Sequence, residues 1–217
     1  MPISLMIAEV FLPEKLQLEW LDALPEARRS QLLGWPDRRA RQRSLIASRL
    51  LLEGLRRLGH PPDVLASLHY PARAKPRLPG LGLDFSISHC EGLVLCGLSA
   101  SGPLGVDVEA PGSCTASVFR RYLSEAERAW AGDDPNRFAR LWTRKEAIVK
   151  ADGTGLAGLH RVVLDIDGRS AQLDGQTWHT AALEVGSQHI AHLARQTPEP
   201  PIPPESLSLS QLRAASP

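Results

Sequence analysis

Two carboxylates stand two residues apart in Gly105-Val106-Asp107-Val108-Glu109. Strand side chains alternate, so Asp107 and Glu109 leave one face while Leu104, Val106 and Val108 take the other. Two hard oxygen donors on one face, completed by phosphate oxygens and water, suit a magnesium ion. The same spacing also suits the wetted face of an edge strand. A third acid shifts the balance, and Glu146 is the candidate: Trp142, Glu146 and Lys150 follow at four-residue spacing on one helical face. An ordinary helical ion pair between Glu146 and Lys150 is the competing explanation. Against it, the same face continues into Asp152-Gly153-Thr154-Gly155, a small-residue turn that lets a ligand approach closely.

A second constellation is Lys75-Pro76-Arg77 followed by Ser86, Ser88 and His89. A lysine, hydroxyls and an imidazole near a strand end are suited to holding a pyrophosphate. A solvated loop lysine and a structural histidine are the plainer alternatives, and nearness to Asp107 argues against them. The basic run Arg38-Arg39-Ala40-Arg41-Gln42-Arg43 either faces water or lends one or two residues to a phosphate. Ser124-x-x-Glu127 has the form of a helix capping box, so Glu127 is read as a cap rather than a catalyst.

The elements that must position these groups are legible as patterns. Residues 37–58 form a helix with Leu45, Leu52 and Leu55 on one stripe, ended by Gly59, Pro61 and Pro62. Residues 70–82, rich in Pro, Gly and basic side chains, form an extended loop. Phe85-Ser86-Ile87-Ser88 alternates as a half-buried strand, and the apolar run 93–98 and residues 104–109 are further strands. Short and long helices follow at 124–130 and 136–150, the latter with Phe138, Leu141 and Ile148 as its apolar stripe and Gly153 and Gly155 as its stop. Residues 161–195 then read as a β-meander with turns at Asp167-Gly168, Asp174-Gly175 and Gly186-Ser187.

The expected fold is α+β, two similar α/β lobes in one chain with the ligand cleft between them. Residues 1–100 form the N-terminal lobe and 101–195 the C-terminal lobe with the metal site. The Pro-, Ser- and Glu-rich residues 196–217 are expected to be a disordered tail.

With 217 residues, 43% of them hydrophobic, the chain can bury a substantial core. Its 25 Lys and Arg against 24 Asp and Glu leave a net charge of +1, so no overall field favours nucleic acid or a membrane, and any anion needs a local site. No apolar run reaches the roughly 20 residues of a membrane helix, and the start lacks signal-peptide features, so the expected location is cytoplasmic. Cys90, Cys96 and Cys114 are odd in number and lack metal-ligand spacing, which indicates reduced thiols.

Taken together, Lys75-Pro76, Phe85-Ser86-Ile87-Ser88-His89, Gly105-Val106-Asp107-Val108-Glu109 and Trp142-Thr143-Arg144-Lys145-Glu146-Ala147 through Lys150 resemble the 4'-phosphopantetheinyl transferase superfamily, in its surfactin-synthetase-activating type, in order and spacing. The resemblance spans about residues 38 to 160. It implies a pseudo-dimer within one chain and an enzyme of the holo-[acyl-carrier-protein] synthase kind. Asp107, Glu109 and Glu146 would hold magnesium, Lys150 and His89 would touch the phosphates, and Lys75 and Ser88 would contact coenzyme A. Arg38 and Arg43 would lie near its 3'-phosphate. Leu123 replaces the family's aromatic before Ser124, and Cys90 stands where the family often has serine.

The implied reaction moves the phosphopantetheine arm of coenzyme A onto a serine of an apo acyl, peptidyl or aryl carrier protein, releasing 3',5'-adenosine bisphosphate. Catalysis would fall to Glu146, directly or through a water, as base, to Lys150, and to Asp107. The protein would act as a monomer. A non-catalytic coenzyme A-binding sensor is the alternative from another class, although it has no use for three convergent acids. A phosphohydrolase would turn over coenzyme A without any carrier.

Overall fold

The alternation read at residues 85–88 and 104–109 becomes strands at the edges of two sheets. The computed structural model describes residues 3–8, 11–71, 74–112, 119–166, 169–198, 200 and 203–214; Cys114 and the Asp167-Gly168 turn lie outside them. The chain opens with β1 (Ile3–Ala8), α1 (Glu14–Asp22) and α2 (Glu26–Leu33), none of which the motif reading anticipated. Then comes α3 (Arg38–Arg57), whose N-cap Asp37 accepts from the Arg39 and Ala40 amides. Its buried stripe, including Leu45, Leu52 and Leu55, lies against β2 (Asp84–Cys90) and β3 (Leu93–Ser99).

The second half begins with β4 (Leu104–Glu109) and α4 (Glu125–Ala131), followed by α5 (Pro135–Asp152). Asp134 caps the start of α5, Pro135 occupies its first turn, and Gly153 ends it in a left-handed conformation, φ 89°. The expected meander follows as β5 (Val163–Leu164), β6 (Ser170–Leu173), β7 (Gln176–Leu183) and β8 (Ile190–Arg195). β4 closes that sheet by pairing antiparallel with β8, Asp107 opposite His192.

Residues 203–214 depart from the expected disordered tail. β9 (Glu205–Ser206) pairs parallel with β1, and α6 (Leu209–Ala214) follows it. Leu207 and Leu212 are buried in the N-terminal core, and Arg57 grips the Glu205 carboxylate with both guanidinium nitrogens, at 2.5 and 2.9 Å. The reason is physical: two leucines in a Pro- and Ser-rich stretch are enough to dock it, and the open edge of β1 supplies the backbone partners.

The strand orders are β2-β3-β1-β9 and β4-β8-β7-β6-β5. One hydrophobic cluster lies between α3 and the first sheet and another between α5 and the second. A third joins the sheets, combining Leu93 and Leu95 of β3 with Leu104, Val106 and Val108 of β4. The architecture is therefore mixed α+β with helices outside two apposed sheets. The even-numbered face of β4 enters the intersheet core and the odd-numbered face, with Asp107 and Glu109, meets α5.

Candidate active site

Gly105 determines how near α5 comes to β4. A methyl group on it would stand 1.8 Å from the Ala147 carbonyl oxygen and 2.6 Å from the Ala151 nitrogen. Only a residue without a Cβ admits the helix there, and the contact brings Glu146 and Lys150 over Asp107. Lys150 Nζ donates to Asp107 Oδ1 at 2.6 Å and to Ser88 Oγ at 3.0 Å, while Ser88 Oγ donates to the same Asp107 oxygen at 2.7 Å. Asp107 is buried, and its other oxygen, Oδ2, has no hydrogen-bond partner.

Electrostatics extend this cluster to the remaining acids. Burial pushes Glu146 up to about 7; Lys150 opposes the shift and Asp107 reinforces it. Burial alone would lower Lys150, but Asp107, Glu146 and Glu109 reverse that and hold it above the usual lysine range. Burial likewise raises the Cys90 thiol to about 12, helped by Glu109 and Asp107 and opposed by Arg43. Cys90 is thus an inert buried thiol, as is Cys96.

Among the described residues no group of three or more His, Cys, Asp or Glu side chains is gathered as a metal cage. Asp107 instead pairs with the Lys150 ammonium at 2.6 Å, and Glu146 and Glu109 act on it electrostatically. The donor chemistry still suits a hard cation: all three are carboxylates, and Asp107 Oδ2 is a buried oxygen with nothing bonded to it.

Beside this cluster opens a cavity of about 620 Å³, lined by Lys75, Ser86, His89, Lys150 and Thr154. His89, Lys150 and Lys75 thus line one cavity, and Ser88 joins them through its bond to Lys150. Lys75 is also engaged structurally: its ammonium pairs with Asp84 and donates to the Leu104 carbonyl at 2.8 Å. Arg43 is half-buried within electrostatic reach of Cys90. Arg38 is exposed and lines a second hollow with Phe11, Leu18 and Gln42, not the cavity of Lys75 and His89.

The far wall of the cavity escaped sequence reasoning. Arg28 lies over the Trp35 ring at 5.3 Å and the Tyr70 ring at 4.2 Å and donates to Ser44 Oγ at 2.6 Å. Three residues from distant segments make one cationic, aromatic surface, and no spacing rule connects them. Glu127 is placed as the capping box implied: Ser124 Oγ accepts from the Glu127 amide and Glu127 Oε2 accepts from the Ser124 amide. The same oxygen pairs with Lys145 Nζ at 2.9 Å. No helix of the described residues is long and apolar enough to cross a membrane.

Comparison with known proteins adds a second line of evidence. The 4'-phosphopantetheinyl transferase superfamily profile matches residues 103–195. The transferase HetI of Nostoc is 34% identical over 104 residues, 43% of this chain and 44% of HetI. Sfp of Bacillus subtilis is 33% identical over 123 residues, 53% of this chain and 50% of Sfp. AcpT of Salmonella typhi is 33% identical over 138 residues, 60% of this chain and 67% of AcpT. The chain thus spans about half the length of HetI and Sfp and two thirds of AcpT.

Proposed function

The chain belongs to the 4'-phosphopantetheinyl transferase superfamily, and on that premise we propose that it transfers the 4'-phosphopantetheine arm of coenzyme A to a serine of an apo acyl, peptidyl or aryl carrier protein. The observation that carries this reading is the Lys150–Asp107–Ser88 cluster at a 620 Å³ cavity, with Glu146 raised to about 7 beside it. The two sheets, one from each half, support a pair of lobes divided near residue 100, with residues 203–214 returning to the first.

In the proposed reaction the carrier serine oxygen bonds to the β-phosphorus. The bond from that phosphorus to 3',5'-adenosine bisphosphate breaks, and the serine proton passes to Glu146. Burial raises this carboxyl to about 7 in the metal-free protein, and at neutral pH with magnesium held the serine proton would reach it directly or through a water. Lys150 stays protonated under the same conditions and offers a fixed cation to the developing charge. Asp107, Glu109 and Glu146 would hold the magnesium ion, which supplies charge neutralisation to the pyrophosphate. His89, on the cavity wall, and Lys150 are the proposed contacts of the phosphates, and Lys75 and Ser88 are proposed contacts of coenzyme A. Arg43, and Arg38 more remotely, remain proposed contacts of the 3'-phosphate. The oxygen-only donor set favours magnesium as the ion.

The test is the intact mass of purified apo carriers after incubation with the protein, coenzyme A and magnesium. A gain of one phosphopantetheinyl group, lost with chelator, is the expected result. Coenzyme A binding without a gain on any acyl, peptidyl or aryl carrier would overturn transfer in favour of a sensor.

A further inference from the structure

β2 and β4 are edge strands of different sheets, yet they lie side by side. Edge strands present unpaired N–H groups that must find acceptors when buried. Here side chains of β2 supply them at a constant interval. Asp84 Oδ2 accepts from the Leu104 amide at 2.8 Å, Ser86 Oγ from Val106 at 3.0 Å and Ser88 Oγ from Val108 at 3.3 Å, each bond spanning 20 residues of sequence. The odd-numbered residues of β4 carry the side chains that meet α5, so these three bonds hold the strand without using the functional face.

Three features make this arrangement specific. Ser86 and Ser88 are buried, as an acceptor for a buried amide must be. Lys75 closes the first rung by binding both Asp84 and the Leu104 carbonyl. The last rung uses Ser88, the hydroxyl that also donates to Asp107 Oδ1 and accepts from Lys150. A slip of β4 by one residue would turn Asp107 and Glu109 toward the intersheet core and Val106 and Val108 toward α5.

We propose that Asp84, Ser86 and Ser88 form a side-chain ladder that sets the register of β4 against β2, which makes Ser86 a positioning residue for Asp107. This rests on the transfer reading for the role of Asp107, although the ladder itself does not. Ser86 does not touch Asp107 in any of these bonds; it acts through the Val106 amide.

Full-length Ser86→Ala and Ser86→Thr test the idea by two readouts: amide hydrogen exchange at Val106 in the metal-free protein, and steady-state transfer to a carrier. Ser86→Ala should speed Val106 exchange by about 10-fold, the loss of one buried hydrogen bond. It should lower kcat by about 10- to 100-fold and change KM for coenzyme A far less, because Ser86, although it lines the cavity, spends its hydroxyl on the Val106 amide. Ser86→Thr, which keeps the hydroxyl, should restore both. Unchanged Val106 exchange in Ser86→Ala overturns the ladder. Faster exchange with unchanged kcat overturns the positioning role, and a raised KM with unchanged kcat makes Ser86 a ligand contact instead. A wild type that modifies no carrier overturns the transfer reading alone, since Val106 exchange then still decides whether the ladder exists.

Discussion

α5 carries two lysines five residues apart, and each meets a carboxylate. Lys145 pairs with Glu127 at 2.9 Å, with side chains 1% and 2% exposed. Its other two protons go to the Tyr122 and Val162 carbonyls at 3.1 and 2.8 Å, so all three donors are used. Lys150 pairs with Asp107 at 2.6 Å, but its side chain is 29% exposed and it lines the cavity. Asp107 keeps one oxygen unbonded, and Glu146 is displaced to about 7. A saturated pair ties a helix cap to the protein interior, whereas an incompletely satisfied pair at a cavity retains capacity for a ligand.

The largest expected effect separates the two pairs by readout. Asp107→Asn should reduce transfer by about 1,000-fold or more, the scale of losing a main electrostatic element, while the melting temperature stays within a few degrees of wild type. Glu127→Gln keeps a capping side chain but removes the charge opposite Lys145. Its cost should fall on stability, about 3–5 kcal/mol by urea unfolding, with near wild-type transfer from the folded fraction. Exchanged outcomes, a stable but inactive Glu127→Gln and an unstable but active Asp107→Asn, would invert the assignment of roles.

The difference between the pairs was partly legible in the sequence. Ser124-x-x-Glu127 is legible as a cap because capping is local, and that Asp107 and Glu109 share one face of a strand is legible because alternation is local. That Lys145 completes the first pair depends on Val162 arriving from another segment, which no short pattern records. The alternation of Ser86 and Ser88 marks a half-buried strand, but their role as acceptors for β4 depends on how two sheets meet. Arg28, Trp35 and Tyr70 converge only after folding. The tail was misread because composition averages over Leu207 and Leu212, the two side chains that decide its docking. β1 is a short apolar run whose partners are β3, ninety residues on, and β9.

The close approach of α5 to β4 offers a smaller perturbation acting unequally on the two pairs. Gly105→Ala puts a methyl group into the Ala147 backbone, and only displacement of helix or strand relieves the overlap. Overpacking of this kind costs about 1–3 kcal/mol, read as a lowered urea midpoint at unchanged slope. Glu146 and Lys150 lie beside the overlap, so transfer should fall further than stability does, whereas Glu127 and Lys145 should keep their contact. A variant with wild-type kcat would mean that the Lys150 cluster tolerates helix displacement.

The smallest effect is a pH dependence, and its sign follows from Glu146. In the metal-free folded protein the carboxyl titrates near 7, against an ordinary value of 4.5 when unfolded, because burial disfavours its charge. The folded state therefore binds the proton more tightly, so this group supports stability fully below pH 4.5 and loses that contribution as pH rises to 7. Wild type should thus lose stability relative to Glu146→Gln across that window, measured by urea unfolding at each pH with chelator present. Above pH 7 the difference should level off. A difference that stays flat from pH 4.5 to 7 would mean that Glu146 is an ordinary, well-hydrated carboxylate in the metal-free protein and that burial does not hold its proton.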